Sequence, residues 1–337
     1  MLHSLLVVAD IHYAGPSETT GGWNEAGFAR TTTSKLVVRT FRHFIWRRDP
    51  FAHNYLLDHF LERVGGQDSV VGLGDYSCDI GCIGVADARA FESVEVCLRQ
   101  LRQRCGSRLE LVIGDHELGK MSVVGNRGGF RWASLERSRV ELNLPIFWRK
   151  SLGSYVVMGI TSSLVALPVY LVETLPEERA QWWTARAAHL QEIRNAFRGL
   201  SPSERVILFC HDPTALPFLF VEPEIRSRLS QIEVTMIGHL HSPLFLKAAS
   251  LLTGLPRVDF LGSAVRRMSA ALNQAKCWRD FRVRVCPALA GIELLKDGGY
   301  YQIQLDPEAQ RRIKLKFIRL PWKTVGSGRT RKSAANV

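Results

Sequence analysis

The chain has no apolar run approaching the roughly 18 residues of a membrane span, which excludes an integral membrane protein built of helices. The short apolar stretch Leu5–Ala9 has no basic segment before it and is too short for the core of a secretion signal. Cysteine is sparse and odd in number: Cys78, Cys82, Cys97, Cys105, Cys210, Cys277 and Cys286. Cys78 and Cys82 are close, but no second Cys or His pair follows at zinc-finger spacing, so a structural zinc module is not expected. Irregular cysteines without a leader read as reduced thiols in a cytoplasmic protein. Acidic residues are missing altogether after Glu308. Nine basic residues lie there (Arg311, Arg312, Lys314, Lys316, Arg319, Lys323, Arg329, Arg331 and Lys332), against a net charge of +12 for the whole chain. The excess is therefore a basic end rather than a field over the body, and a nucleic-acid partner is not favoured.

What is present is ordinary for a globular enzyme-sized chain: 337 residues, 46% hydrophobic and 23% charged. Short apolar runs of strand length occur at Ser4–Ala9, Ser69–Leu73, Leu109–Ile113, Ser154–Ile160, Arg205–Cys210, Val234–Ile237 and Val258–Leu261. Helical periodicity lies between them, at Tyr55–Arg63, Phe91–Leu101 and Trp183–Phe197. Strand alternating with helix predicts an α/β fold. Near the end, Tyr301, Ile303 and Leu305, then Ile313, Leu315 and Phe317, alternate with polar residues. That pattern predicts an antiparallel hairpin over about 300–320 with one wet, basic face, and hence mixed sheets. The composition beyond Trp322 predicts a disordered basic tail, 323–337, after a single domain spanning 1–322.

An insertion is expected over about 14–52. Within it, 35–48 reads as a basic amphipathic helix: Leu36, Val37, Phe41, Phe44 and Ile45 are interleaved with Lys35, Arg39, Arg42, Arg47 and Arg48, before Asp49-Pro50. Its apolar stripe is expected to pack on the domain; a lid over the site and a peripheral membrane contact are the alternatives. The pair Trp182-Trp183 sits in a helical run and reads as core rather than as a stacking platform.

Five of the apolar runs deliver polar residues directly at their ends: Asp10-Ile11-His12, Gly74-Asp75, Gly114-Asp115-His116-Glu117, His211-Asp212-Pro213 and Gly238-His239-Leu240-His241. Ligands of open α/β sheets bind outside the carboxyl ends of strands. Carboxylates and imidazoles are the donors that first-row divalent metals share, and this set is too large for one ion. Two ions about 3.5–4 Å apart, joined by a carboxylate, would use them all.

In order and spacing, this series resembles the calcineurin-like metallophosphoesterases, whose pattern is D-x-H, GD, G-N-H-[DE], H and G-H-x-H. The resemblance spans Asp10 to His241. It implies a four-layer α/β/β/α sandwich with two mixed β-sheets, and a pair of divalent or mixed-valence ions (Mn, Fe or Zn). It further implies that Asp10, His12 and His241 hold one metal, that Asp115, His211 and His239 hold the other, and that Asp75 bridges them. A bridging hydroxide would attack a phosphomono- or phosphodiester, with His116 protonating the leaving oxygen. A non-catalytic module that kept the fold is the alternative; the full set of ligand positions and His116 favour activity. The chain departs from the family at Asp115, where Asn is usual. An ionised carboxylate removes a positive charge from the centre and cannot donate to phosphate, so a compensating cation is expected; Arg127 and Arg131 are the candidates for substrate binding. His3, His43, His53, His59 and His189 lack ligand spacing, and Asp79 and Asp212 read as supporting groups.

Overall fold

The computed structural model describes residues 2–22, 27, 31–122, 127–242 and 275–323. Two five-stranded sheets organise them. The first runs β10 (Lys314–Arg319), β9 (Gly299–Leu305), β1 (His3–Val8), β2 (Ser69–Gly72), β3 (Leu109–Leu111). The second runs β4 (Phe147–Leu152), β5 (Tyr155–Ile160), β6 (Arg205–Cys210), β7 (Ile232–Ile237), β8 (Val283–Val285). In the first sheet β1, β2 and β3 are parallel and β9–β10 is an antiparallel hairpin. In the second, β5 to β8 are parallel and β4 is antiparallel at one edge. Both sheets are mixed, as the alternating C-terminal run predicts.

The layers follow from the two-residue period of the strands. Leu5, Val7 and Ala9 of the first sheet share a buried cluster with Tyr155, Val157, Ile207 and Phe209 of the second, so these side chains fill the space between the sheets. Their neighbours Leu6 and Val8 pack instead with Leu56, Phe60, Val94 and Leu98 of the helices Tyr55–Arg63 and Ala88–Cys105. On the far side Val156, Met158, Val206 and Leu208 pack with Leu190, Ile193 and Phe197 of the helix Arg179–Arg198. Three clusters between four layers make an α/β/β/α sandwich.

The strands that are hard to read in the sequence are edges. In β4, Arg149, Lys150 and Ser151 are exposed, which breaks the apolar signal and guards the edge. Strand β8 has three residues. The strand expected at Val258–Leu261 and the tail beyond Lys323 lie outside the described residues. No disulfide links any of the seven cysteines, and no helix among the described residues is long and apolar enough to cross a membrane.

The amphipathic segment differs from its expectation twice. Its helix covers Thr32–Phe44 and stops there, with Ile45 N and Trp46 N both bonding to Phe41 O. None of its residues is buried, and Leu36, Val37 and Phe44 are each more than 60% exposed. The apolar stripe therefore does not pack on the domain as expected. Ser34, Val38 and Arg42, on another face of the helix, are its half-buried residues. The excursion is closed at its base by Asn54, whose Oδ1 accepts from Ala14 N at 2.9 Å and whose Nδ2 donates to Ala14 O at 2.8 Å.

Candidate metal centre

The polar residues after β1, β2, β3, β6 and β7 converge where the ends of the two sheets meet. The strand ladder continues past the strand ends: Asp10 N bonds to Gly74 O and His12 N to Asp75 O, while Gly238 N bonds to His211 O. The sheets are joined at the site by His239 N, which donates to both carboxylate oxygens of Asp10 at 3.2 and 3.1 Å. The glycines of the motifs have a steric reason. Gly74 has φ +94°, and a Cβ there would stand 2.5 Å from Gly114 N. At Gly114 a Cβ would collide with Asp75 N and Oδ1. Only glycines let the ends of β2 and β3 touch, and that contact brings Asp75 beside Asp115.

Two groups of ligand atoms result, each with its members within 4.8 Å of one another: Asp75, Asp115, His211 and His239, and separately Asp10, His12 and His241. Asp75 also groups with His12 and His116, so it lies within reach of both sets. His211 Nε2 is 2.9 Å from Asp115 Oδ1 and 3.2 Å from Asp75 Oδ2. His239 Nδ1 is 3.2 Å from Asp115 Oδ1, and His241 Nε2 is 3.4 Å from Asp10 Oδ1. His116 Nε2 is 3.7 Å from Asp75 Oδ2. The outer nitrogens of two imidazoles are held by backbone carbonyls: His12 Nδ1 by Ser77 O and His211 Nδ1 by Leu73 O. That leaves Nε2 of each facing inward, the usual way a second partner orients a ligating histidine.

Asp10, His12, Asp75, His239 and His241 all have φ between 48° and 59°. This left-handed conformation is uncommon for residues with a side chain, and clusters of it mark functional sites. The backbone is bent so that these side chains point at one another.

The electrostatics ask for cations. Asp10, Asp75 and Asp115 are fully buried. Burial pushes Asp10 up to about 6, with His211 pulling it down and Asp75 pushing it further up. Burial acts the same way on Asp115, yet Lys120, His239 and His211 hold it well below the usual carboxylate range. His211 in turn, despite burial, is held well above its ordinary value by Asp75 and Asp115. His12 Nε2, which is buried, makes no hydrogen bond among the described residues, and Asp75 Oδ2 is approached by His211 Nε2 at 3.2 Å. Oxygen and imidazole donors, no thiolate among them, suit hard or borderline divalent ions. This buried Asp/His cluster could hold metal ions.

Around the ligands stand residues that the sequence left without a role. Glu117 is fully buried, and its carboxylate accepts from Gly114 N, Asp75 N and Tyr76 N at 2.8–2.9 Å. It clamps the β2 and β3 loops together. Burial, then Asp75, pushes it up to about 8. Lys120 Nζ lies 3.0 Å from Asp115 Oδ2, so the cation against Asp115 is this lysine rather than either expected arginine. Arg131 donates to Phe130 O and Gly128 O, and Arg127 is exposed. Asp79 accepts from Gly84 N and Lys120 N, and Asp212 from Thr214 N, both in supporting positions. The remaining histidines are engaged elsewhere: His3 with Ser69, His59 with Glu62, His189 with Thr161 N, His53 against Trp322 and His43 against Phe44. Trp182 is core; Trp183 is 40% exposed.

No protein-family model matches the chain, and no curated protein does. One matching solved structure is the phosphopantetheinyl hydrolase (PptH) of Mycobacterium tuberculosis, at 14% identity over 71% of this chain and 83% of that one, with a TM-score of 0.33. A likeness so slight bears on neither activity nor substrate.

Proposed function

We propose that this chain is a metal-dependent phosphoesterase of the calcineurin-like kind, with Asp10, His12 and His241 holding one ion, Asp115, His211 and His239 the other, and Asp75 between them. The observation that carries this reading is the sorting of six buried Asp and His residues and the half-buried His239, from five separate strand ends, into two groups, with Asp75 a member of one and within reach of His12 in the other. Bound divalent ions (Mn, Fe or Zn) would supply Lewis acidity and a water acidic enough to act as nucleophile near neutral pH.

The chain's own residues do the rest. Glu117 fixes Asp75 through its backbone N–H. His116 N donates to Asp75 Oδ1 at 3.0 Å, which ties the candidate acid to the same carboxylate. Burial, against the pull of Asp75, holds the His116 ring down to about 4, so it enters the reaction neutral. The negative charge of a phosphate beside it would let Nε2 take a proton from solvent water, and the proton would pass from there to the departing ester oxygen, returning the ring to neutral. Arg127 and Arg131 remain candidates for outer contacts with the substrate.

The test is elemental analysis of the purified chain and of Asp75→Asn, together with turnover of phosphomonoesters and diesters with Mn²⁺ added. We expect two metals in the wild type, a large loss of both in the variant, and hydrolysis only by the loaded protein. One metal or none in active wild-type protein would exclude the two-ion reading, and a fully loaded chain that turns over no ester would leave a binding module.

A further inference from the structure

The strand ends account for the ligands, but one buried charge remains unused. Arg47 is 4% exposed, and Nε and Nη1 of its guanidinium make no hydrogen bond among the described residues. Arginine is almost never buried without a partner, because an unpaired buried charge is costly. The backbone holds it there. Trp46 O accepts from Glu293 N and Ile45 O from Leu294 N, so 45–48 is strapped across the loop that follows β8. Arg48 adds an ion pair to Glu293 at 3.7 Å. Trp46 packs on a candidate ligand, its ring centroid 4.4 Å from that of His241.

The strap thus sets Arg47 beside the Asp10–His12–His241 group. The guanidinium of Arg47 acts electrostatically on both His12 and His241. Burial lowers Arg47 itself only to about 10, so it is charged at neutral pH. Cys78, Asp10 and Asp75 favour its charge, yet neither carboxylate bonds to Nε or Nη1; Arg42, a like charge, also acts on it. A buried guanidinium with open donors and a second guanidinium nearby fits an anion with several oxygens, and the planar fork of arginine matches phosphate.

We propose that Arg47 is a phosphate-binding residue of this site, donating to the free oxygens of a substrate phosphate beside the Asp10–His12–His241 group and favouring a dianionic phosphomonoester over a diester. This rests on the phosphoesterase reading above. The preference follows from charge. Two divalent ions would set four positive charges against the three carboxylates Asp10, Asp75 and Asp115. Lys120 and Arg47 add two more. A formal excess of three is nearer to balance with a dianion than with the single charge of a diester.

The experiment measures binding of inorganic phosphate and of dimethyl phosphate to the metal-loaded full chain by calorimetry, in the wild type, Arg47→Met and Arg47→Lys. Metal content and melting temperature are followed in parallel. Arg47→Met should keep its metals and weaken phosphate by about 10–100-fold, the worth of a charge-assisted hydrogen bond or two, with a smaller loss for dimethyl phosphate. Arg47→Lys should fall between, since an ammonium has no fork. If Arg47→Met does not fold, Arg47→Lys carries the test and must still weaken phosphate more than dimethyl phosphate. A phosphate affinity within about twofold of wild type at full metal content, or equal losses for both anions, overturns the inference. A wild-type chain that takes up no metal overturns it together with the reading beneath it; a metal-loaded phosphoesterase indifferent to Arg47 overturns it alone.

Discussion

Lys120 Nζ stands 3.0 Å from Asp115 Oδ2, on a lysine 22% exposed and a carboxylate with no exposure at all. The pair explains how this chain tolerates an acid where the family it resembles has a neutral amide. Asp115 brings an extra negative charge and Lys120 cancels it from outside the ligand set. Lys120→Gln should therefore tighten divalent metal binding and weaken phosphate binding. Asp115→Asn should do the reverse to metal, because Lys120 is left facing the ion. In the double variant the two effects should not add, with a coupling of about 0.5–3 kcal/mol. Metal titrations of the four proteins measure it; strict additivity would mean that the pair is incidental.

His116→Asn should keep its metals and lose about 10²–10⁴ in kcat, the range of a lost general acid. The loss should be smaller for nitrophenyl esters, whose leaving groups need no proton, than for alkyl esters. An equal loss for both would assign His116 to binding instead.

Glu117 accepts three backbone N–H groups from the two loops that carry Asp75 and Asp115. Glu117→Gln turns one acceptor oxygen into a donor facing a backbone donor, which should cost about 1–3 kcal/mol of stability. Metal affinity should fall as well, since Asp75 is no longer held. Thermal unfolding with and without metal separates the two effects; a variant with unchanged metal affinity would reduce Glu117 to a fold residue.

His53 is buried, and burial, followed by Arg47, holds it down to about 4. Its folded value lies below the ordinary 6.5. The stability it contributes is then fully present above pH 6.5 or so and is lost as the pH falls towards 4. Denaturation midpoints across that window should fall in the wild type and fall less in His53→Gln. Parallel pH profiles would rule out this histidine as the source.

The strands β1, β2, β6 and β7 were legible because they are central, largely buried on both faces and therefore apolar up to the polar residue that ends them; β3, three residues at a sheet edge, was legible because its apolar run continues through the buried Val112 and Ile113. The edges β4 and β8 were not, since charged side chains or mere shortness erase the pattern. Among site residues, the seven candidate ligands could be named from their place after a strand. Glu117 stood in a quoted motif without a role, because its role depends on two loops meeting across 42 residues of sequence. Lys120 lies just beyond a motif and carries no signal of its own. Arg47 was hidden by periodicity: the spacing of apolar and basic residues runs on to Arg48, and nothing local marks the break at Phe44 that turns Arg47 inward.

The clasp between Asn54 and both backbone groups of Ala14 sets the two ends of the excursion side by side on the sandwich. Whatever is threaded between them, the scaffold senses the same two anchor points. The candidate metal-binding residues sit on strand ends that cannot move without dismantling the core, whereas Arg47 and the exposed helix before it belong to an excursion whose described residues form no strand of either sheet. A different 15–53 segment closed by the same clasp would thus present other side chains to the same strand ends, provided that it kept the buried carboxylate of Glu18, which accepts from Cys78 N and Ile80 N.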